Sequence, residues 1–228
     1  MTGQGGAFGG TMKIQALFWD NDGILVDTEP LYFQATAESL REIGIDLTES
    51  HYRSLSLTEG RSSFDLAVEQ GLSPETVTAM IERRNRRYTE LLRKGVLVMD
   101  GVEEALAALS CRLTMGIVTS SRRVHFEVMH QGTGRLLSHF AFTLTREDYQ
   151  RSKPNPEPYR LALSRVGLPP EACLAIEDSP RGLESAVAAG LRCIVVPNAL
   201  TRGSDFTVAW RVLSNCREIL GEIAAVNG

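Results

Sequence analysis

The chain has 228 residues, of which 43% are hydrophobic and 23% charged, and its formal net charge is −4 at pH 7. This is an ordinary globular composition, and its mild acidity gives no electrostatic case for a nucleic-acid partner. No apolar run approaches the roughly 20 residues that cross a bilayer, so we expect no membrane partner either.

The first eleven residues are rich in glycine and lack the apolar core of a secretory signal. We interpret residues 1–11 as a disordered leader and Met12 as a candidate natural start. The four cysteines stand singly, without Cys-x-x-Cys spacing. This favours reduced thiols and a cytoplasmic location over a disulfide framework or a zinc site.

The first predicted strand, over 14–19, delivers two carboxylates, Asp20 and Asp22, to a turn at Gly23. A carboxylate suits attack on phosphorus, and an aspartyl phosphate is an established covalent intermediate. Asp20 is the candidate nucleophile, and Asp22, on the same side of the strand, is the candidate for handling the proton. Such triplets also occur in turns and calcium loops, so this one decides nothing alone.

About 70 residues then separate this motif from the next helix and strand, far more than a usual connection. Their pattern predicts helices over 31–42, 63–70 and 74–94, the last with Ser73 as its N-cap. We therefore predict a small helical cap over 29–96, inserted into a core formed by 12–28 and 97–228.

Two charged segments of the predicted cap have alternative interpretations. Glu59 and Arg61 flank Gly60 between two cap helices, and Arg61 is a candidate contact for a second phosphate or a carboxylate. The alternative is a solvated arginine. The cluster from Glu82 to Arg87 is interpreted as a solvated helix face rather than a polyanion site.

Three further segments carry polar groups beyond the cap. Thr119 and Ser120 close an apolar run and can hold a phosphate, or merely cap a helix. Lys153 lies among prolines that stiffen the backbone and can fix its ammonium group, although an isolated lysine is usually solvated. Glu177 and Asp178 end another apolar run, where carboxylates invite a hard cation.

The core segments alternate between strand and helix, which is typical of a parallel sheet with helices on both faces. After the first strand, we predict strands over 113–119, 139–143, 173–177 and 192–196. We predict helices over 102–109, 122–130, 156–166 and 181–189, the last two ending at Gly167 and Gly190. The polar motifs follow strands, and ligands bind at the carboxyl ends of such strands, so we expect one shared pocket.

The motifs occur in the order acid pair, hydroxyl, lysine and acid pair. In this order they resemble the motifs of the haloacid dehalogenase superfamily of phosphotransferases. The segments Asp27-Thr28-Glu29, Lys153-Pro154-Asn155-Pro156 and Glu177-Asp178-Ser179 look like the branch with β-phosphoglucomutase and phosphoglycolate phosphatase. The resemblance implies an α/β fold with a Rossmann-like parallel-sheet core and an inserted helical cap that moves to cover the site.

The resemblance also implies roles for the site residues. Asp20 attacks the phosphoryl group, and Asp22 protonates the leaving alcohol and later activates water. Thr119 and Lys153 bind phosphoryl oxygens. The implied cofactor is Mg²⁺, held by the Asp20 carboxylate, the Asp22 backbone carbonyl and Asp178, with Glu177 in support; this agrees with the oxygen ligands that Mg²⁺ prefers.

The resulting expectation is a Mg²⁺-dependent phosphatase of a small phosphorylated metabolite, such as a sugar phosphate, acting as a monomer or weak homodimer. A phosphomutase is the nearest alternative, although Tyr32 and Arg123 stand where the mutases have histidine and asparagine. A non-catalytic binding protein and a dehalogenase are further alternatives. Trp19 and Asn21 also depart from the family pattern, which favours apolar residues at both positions.

Overall fold

The structure is a computed structural model that describes residues 13–228. The expected leader and Met12 lie outside the described residues. The strands are β1 (Ala16–Trp19), β2 (Val26–Asp27), β3 (Leu97–Val98), β4 (Thr114–Val118), β5 (Phe142–Leu144), β6 (Cys173–Glu177), β7 (Arg192–Val195) and β8 (Arg211–Val212). The α-helices are α1 (Glu29–Arg41), α2 (Glu49–Tyr52), α3 (Asp65–Glu69), α4 (Pro74–Leu92), α5 (Val102–Leu109), α6 (Arg123–His130), α7 (Glu157–Val166), α8 (Pro180–Ala188) and α9 (Ile219–Asn227).

Six of the described strands form one sheet in the order β5-β4-β1-β6-β7-β8, and every pair in it is parallel. Strand β1 lies between β4 and β6, with Leu17 opposite Met115 and Leu174. Side chains alternate along β1, so Leu17 and Trp19 enter one hydrophobic core while Ala16 and Phe18 enter the other. The predicted α/β class with a parallel sheet is confirmed.

Most predicted core elements agree with the observed bounds to within two residues. The strand predicted over 139–143 is wrong in position. His139 ends a 3₁₀ helix, Leu136–His139, and its Nδ1 hydrogen bonds to Ser110 Oγ at 2.9 Å, so the extended segment begins only at Phe142. Strand β8 and helix α9 were not predicted.

A helical segment, residues 29–92, lies between β2 and β3. These two short strands form a separate antiparallel pair, with Val26 opposite Val98, so the two ends of the helical segment lie side by side. The three predicted helices are present as α1, α3 and α4, and Ser73 caps α4 by accepting a hydrogen bond from the Thr76 N–H at 3.3 Å. Helix α2 and the π-helix that follows it, Arg53–Thr58, were not predicted.

The helical segment has its own apolar core, which includes Leu40, Tyr52, Phe64 and Met80. The amphipathic pattern of α4 therefore has a physical partner in the helices around it. Among residues 13–228, no helix combines the length and apolar character that crossing a bilayer requires. All four cysteines are free thiols, and only Cys111 is exposed.

We expect Gly116→Ala to destabilise the sheet. A Cβ at this position would collide with the Phe142 ring on the neighbouring strand β5. The substitution should lower the free energy of unfolding by about 1–3 kcal/mol. Urea denaturation measures this change.

Gly221→Ala is the matched control, because a Cβ at Gly221 in α9 meets nothing within 4 Å. Since alanine favours a helix over glycine by up to about 1 kcal/mol, this variant should be neutral or more stable. Equal losses in the two variants would contradict the packing of β4 against β5.

Candidate active site

The sheet order brings the predicted motifs together. Asp20 follows β1, Thr119 follows β4, and Asp178 follows β6, so all three lie at the carboxyl edge of neighbouring parallel strands. Lys153 reaches the same place from the loop before α7. The expectation that ligand-binding groups meet at this edge agrees with the geometry.

The ammonium group of Lys153 is buried at the centre of this cluster. It donates hydrogen bonds to Asp20 Oδ1 at 2.7 Å, Glu177 Oε1 at 2.6 Å and the Val118 carbonyl at 2.8 Å. Burial opposes its charge, but the two carboxylates outweigh burial and raise the pKa of Lys153 above its usual value. Lys153 therefore stays charged and joins the ends of β1, β4 and β6.

Asp20, Glu177 and Asp178 form a buried carboxylate cluster, with one oxygen from each within 4.8 Å of the others. Burial raises the pKa of Asp20 to about 8 and that of Asp178 well above its usual value, and the neighbouring carboxylates add to both shifts. Lys153 supplies one positive charge to this cluster. The cluster is therefore short of positive charge.

The donor set fits a hard divalent cation. Glu177 Oε1 accepts hydrogen bonds from Lys153 and from the Tyr159 hydroxyl, at 2.5 Å, but Glu177 Oε2 is buried and has no partner among the described residues. A buried carboxylate oxygen without a partner is costly unless a cation or water satisfies it. Oxygen ligands of this kind are those that Mg²⁺ takes in proteins.

Two glycines allow the carboxylates to approach so closely. A Cβ at Gly182 would overlap the Glu177 carboxylate, and a Cβ at Gly23 would overlap that of Asp178. Gly23 also has a φ of +79°, in the left-handed region that favours glycine. The turn after Asp22 and the start of α8 are thus shaped around the acid cluster.

Three hydroxyl groups hold Asp22. Thr28 Oγ1 donates to Asp22 Oδ1 at 2.7 Å, while Thr119 Oγ1 and Ser121 Oγ donate to Asp22 Oδ2 at 3.0 and 2.8 Å. Neither Thr28, which stands in the Asp27-Thr28-Glu29 motif, nor Ser121, which follows the Thr119-Ser120 pair, was predicted to contact Asp22. Ser120, a phosphate-binding candidate from the sequence, lines the cavity and accepts a hydrogen bond from Ser152 Oγ at 3.0 Å.

The acid cluster opens into a cavity of about 570 Å³ that the helical segment also lines. Its walls carry the carboxylates and Lys153 from the sheet edge, whereas Thr119 is fully buried and does not line it. The helices contribute Tyr32, Tyr52, Arg84 and Tyr88. This volume suits a small metabolite.

Arg84 also lines the cavity, a position that the sequence pattern did not predict. It is 8% exposed, its guanidinium lies over the Tyr32 ring at 4.2 Å, and it donates to Thr36 Oγ1 at 3.1 Å. No carboxylate in residues 13–228 lies within ion-pair distance of it. The expectation of a solvated face from Glu82 to Arg87 is therefore wrong for Arg84, which shares the buried side of α4 with Met80 and Tyr88.

The sequence profile of haloacid dehalogenase-like hydrolases matches residues 17–196. The chain belongs to this family. It is 34% identical to Protein CbbY of Rhodobacter capsulatus over 212 residues, which cover 88% of this chain and 93% of the relative. It is 31% identical to a phosphorylated carbohydrates phosphatase of Thermotoga maritima over 221 residues, which cover 93% of this chain and all of the relative.

A solved structure agrees with this membership. A mutant CbbY from Rhodobacter sphaeroides, in complex with xylulose-(1,5)bisphosphate, superposes with a TM-score of 0.75 at 27% identity and covers 90% of this chain and 96% of that one. The expected superfamily and the expected hydrolase class are confirmed.

Glu59 and Arg61, the two loop residues proposed as substrate contacts, lie in different surroundings. Arg61 lines the cavity, but its guanidinium pairs with Glu69 at 2.7 Å and Asp65 at 3.3 Å. Glu59 is exposed, does not line the cavity and accepts a hydrogen bond from Ser54 Oγ at 3.0 Å. Arg61 thus has its charge largely neutralised within the helical segment, unlike Arg84.

Glu29 adds another carboxyl group to the cavity wall. Its Oε2 accepts a hydrogen bond from the Tyr52 hydroxyl at 3.1 Å. Burial raises the pKa of Glu29 to about 7, and the nearby charge of Asp22 adds to the shift. The folded chain therefore keeps a proton on Glu29 at pH values where the unfolded chain has lost it.

We expect Glu29→Gln to change the pH dependence of stability. The folded pKa is raised, so the favourable contribution of protonated Glu29 is complete below about pH 4.5 and lost as pH rises to about 7. Glutamine removes this loss, so the variant should gain stability relative to the parent across that window and not beyond it. Urea unfolding from pH 5 to 8 with a chelator present tests this; parallel pH profiles would contradict it.

Proposed function

We propose that this chain is a Mg²⁺-dependent phosphatase of a small phosphorylated sugar that acts through an aspartyl phosphate on Asp20. The supporting observation is the position of Asp20, which ends the central strand inside a cavity, held by Lys153 and beside Glu177 and Asp178. Asp22 follows at the same edge, fixed by hydroxyl groups. A nucleophile and a proton carrier therefore face one pocket.

The carboxylates of Asp20, Asp178 and Glu177, with the backbone carbonyl of Asp22, are the groups that would hold Mg²⁺. When bound, Mg²⁺ supplies positive charge that offsets repulsion between a carboxylate and the phosphoryl oxygens. The fit rests on the oxygen donor set and on the unpartnered Glu177 Oε2.

In the proposed first step, an Asp20 carboxylate oxygen attacks phosphorus, and the bond from phosphorus to the sugar oxygen breaks. Asp22 gives its proton to the departing alcohol. In the second step, Asp22 takes a proton from water as that water attacks the same phosphorus, and the bond to Asp20 breaks. Lys153 and Thr119 stabilise the charge on the phosphoryl oxygens.

The helical segment acts as the cap in this proposal, with boundaries near residues 29 and 96. It lines the cavity above the carboxylates and so excludes water while phosphoryl transfer takes place. The relatives support a phosphorylated carbohydrate, since one is named for such substrates and a CbbY structure contains a sugar bisphosphate. Arg84 supports a substrate whose distal part is anionic.

A phosphomutase is less well supported. Arg123, which stands where the mutases have asparagine, pairs with Asp148 at 2.7 Å and does not line the cavity. Tyr32, in place of histidine, does line it but packs edge-on against Tyr88. Neither residue offers the mutase side chain at its position.

We expect Mg²⁺-dependent release of inorganic phosphate from a narrow group of sugar phosphates. Phosphorus NMR follows free phosphate and isomerised sugar phosphate together across a panel of mono- and bisphosphates. Asp20→Asn should abolish turnover, because an amide is not a nucleophile of comparable strength, while thermal denaturation shows that the fold is intact.

Other results of this screen would contradict the proposal in different ways. Isomer formation without phosphate release would identify a mutase. Tight binding without turnover would identify a binding protein. Substantial phosphate release by Asp20→Asn would exclude the proposed nucleophile.

We expect Arg84→Gln to weaken binding of a bisphosphate more than that of its monophosphate. Arg84 is a buried cation without a carboxylate partner, so it can pair with a second anionic group on the substrate. KM for the bisphosphate should rise about 10- to 100-fold with kcat changed much less, as for loss of binding shared by ground and transition states. Arg86→Gln, on the exposed side of the same helix, is the matched control; equal effects would contradict this role for Arg84.

A further inference from the structure

Asn21 lies between the two aspartates of the first motif and is fully buried. Its backbone carbonyl accepts hydrogen bonds from the N–H groups of Leu25 at 2.8 Å and Val26 at 3.1 Å, which closes the turn after β1. Its side chain faces α6, where Oδ1 lies 2.7 Å from His130 Nε2. Its amide nitrogen lies 3.3 Å from Asp22 Oδ2 and 2.9 Å from Met129 Sδ.

His130 has a defined hydrogen-bonding state. Burial lowers its pKa to about 4, so the imidazole is neutral at neutral pH and carries one N–H. The Asp22 carboxylate can only accept from the Asn21 amide, so the amide nitrogen faces Asp22 and Oδ1 faces His130. An amide oxygen can only accept, so Nε2 is the donor. Nδ1 is then an acceptor. The Thr133 hydroxyl lies 3.0 Å from Nδ1 and 3.2 Å from the His130 carbonyl oxygen, and its one proton can be donated to either.

The Asp22 carboxylate on one side and the His130 N–H on the other favour the same orientation of the Asn21 amide. If the amide were flipped, its NH₂ would face the Nε2–H donor and its oxygen would face the Asp22 carboxylate. Both contacts would be repulsive in a buried place. The observed orientation instead points an amide N–H toward a carboxylate oxygen, an interaction stronger than a hydrogen bond between neutral groups.

We propose that Asn21 and His130 form a buried positioning pair that holds the Asp22 carboxylate in place for proton transfer. Neither residue touches the reacting atoms. His130 orients Asn21, and Asn21 together with Thr119 and Ser121 fixes Asp22 Oδ2. The inference rests on the proposed function, in which Asp22 is the acid and base.

The test depends on the leaving group. Phenolate is a more basic leaving group than p-nitrophenolate, so its departure depends more on protonation by Asp22. A displaced Asp22 should therefore slow cleavage of phenyl phosphate more than that of p-nitrophenyl phosphate. The ratio of their kcat/KM values reports this, because kcat/KM covers the steps up to release of the alcohol. A general loss of folded enzyme lowers both values equally and leaves the ratio unchanged.

We expect Asn21→Leu and His130→Phe to lower kcat/KM for phenyl phosphate about 5- to 30-fold and for p-nitrophenyl phosphate less than about threefold. His130→Gln, whose amide N–H can replace the Nε2 donor, should restore most of the ratio. Gly116→Ala is the control for destabilisation at a distance and should not change the ratio.

An unchanged ratio in both Asn21→Leu and His130→Phe would overturn the positioning pair, as would a failure of His130→Gln to differ from His130→Phe. Two other results would overturn the proposed function instead. They are an unaltered chain that releases phosphate from neither ester and from no sugar phosphate of the panel, or an Asp20→Asn variant that hydrolyses both esters.

Discussion

The buried ammonium group of Lys153 is the interaction on which the site geometry depends. Burying a single charge is costly, and Lys153 is tolerated because two carboxylates and a carbonyl oxygen surround it. These partners follow or end three different strands of the sheet. Removing one partner of a buried ion pair costs about 3–5 kcal/mol in proteins generally, so each strand end is held against the others. The fixed position of Asp20 is therefore a consequence of charge pairing as well as of sheet topology.

Even with this pairing, the acid cluster has more carboxyl groups than positive charges. Asp20, Glu177, Asp178 and Asp22 bring four carboxyl groups to one edge, and the glycines at 23 and 182 let them approach more closely than any side chain would permit. A substrate phosphate adds more negative charge. Lys153 from the core and Arg84 from the helical segment are among the cations that line the cavity. An anionic substrate that contacts both would draw the helical segment toward the core, which links binding to exclusion of water.

The sequence predicted the site at the sheet edge because the carboxyl ends of parallel strands share one edge, whatever loops connect them. Asp20, Thr119 and Asp178 follow short apolar runs that the alternation of strands and helices predicts to be buried strands, so their meeting follows from the fold class. Arg84 could not be predicted in this way. Its burial depends on Tyr32 in α1 and on Phe64, just before α3. A count of charges along α4 does not show which side of that helix these rings cover.

The missed elements have similar causes. Strand β8 has two exposed residues and pairs with β7 alone, so it lacks the apolar alternation that marks a strand. Helix α9 is apolar over most of its length and contains Gly221, which weakens the helical pattern. At His139 the opposite error occurs, because a strand was predicted where none exists. The predicted strand begins too early, since the hydrogen bond between His139 and Ser110 cannot be seen in the sequence.

Asn21 shows how a departure from a family pattern can carry structural information. A polar side chain at a fully buried strand end is unfavourable unless its hydrogen bonds are satisfied, so its presence implies a polar partner elsewhere. That partner, His130, is 109 residues away in the sequence and is itself buried in a neutral state. Replacing either residue alone leaves a buried polar group unsatisfied, whereas replacing both by apolar groups can be nearly neutral for stability. The double replacement would still remove the amide donor from Asp22, so stability and proton transfer can be separated at this pair.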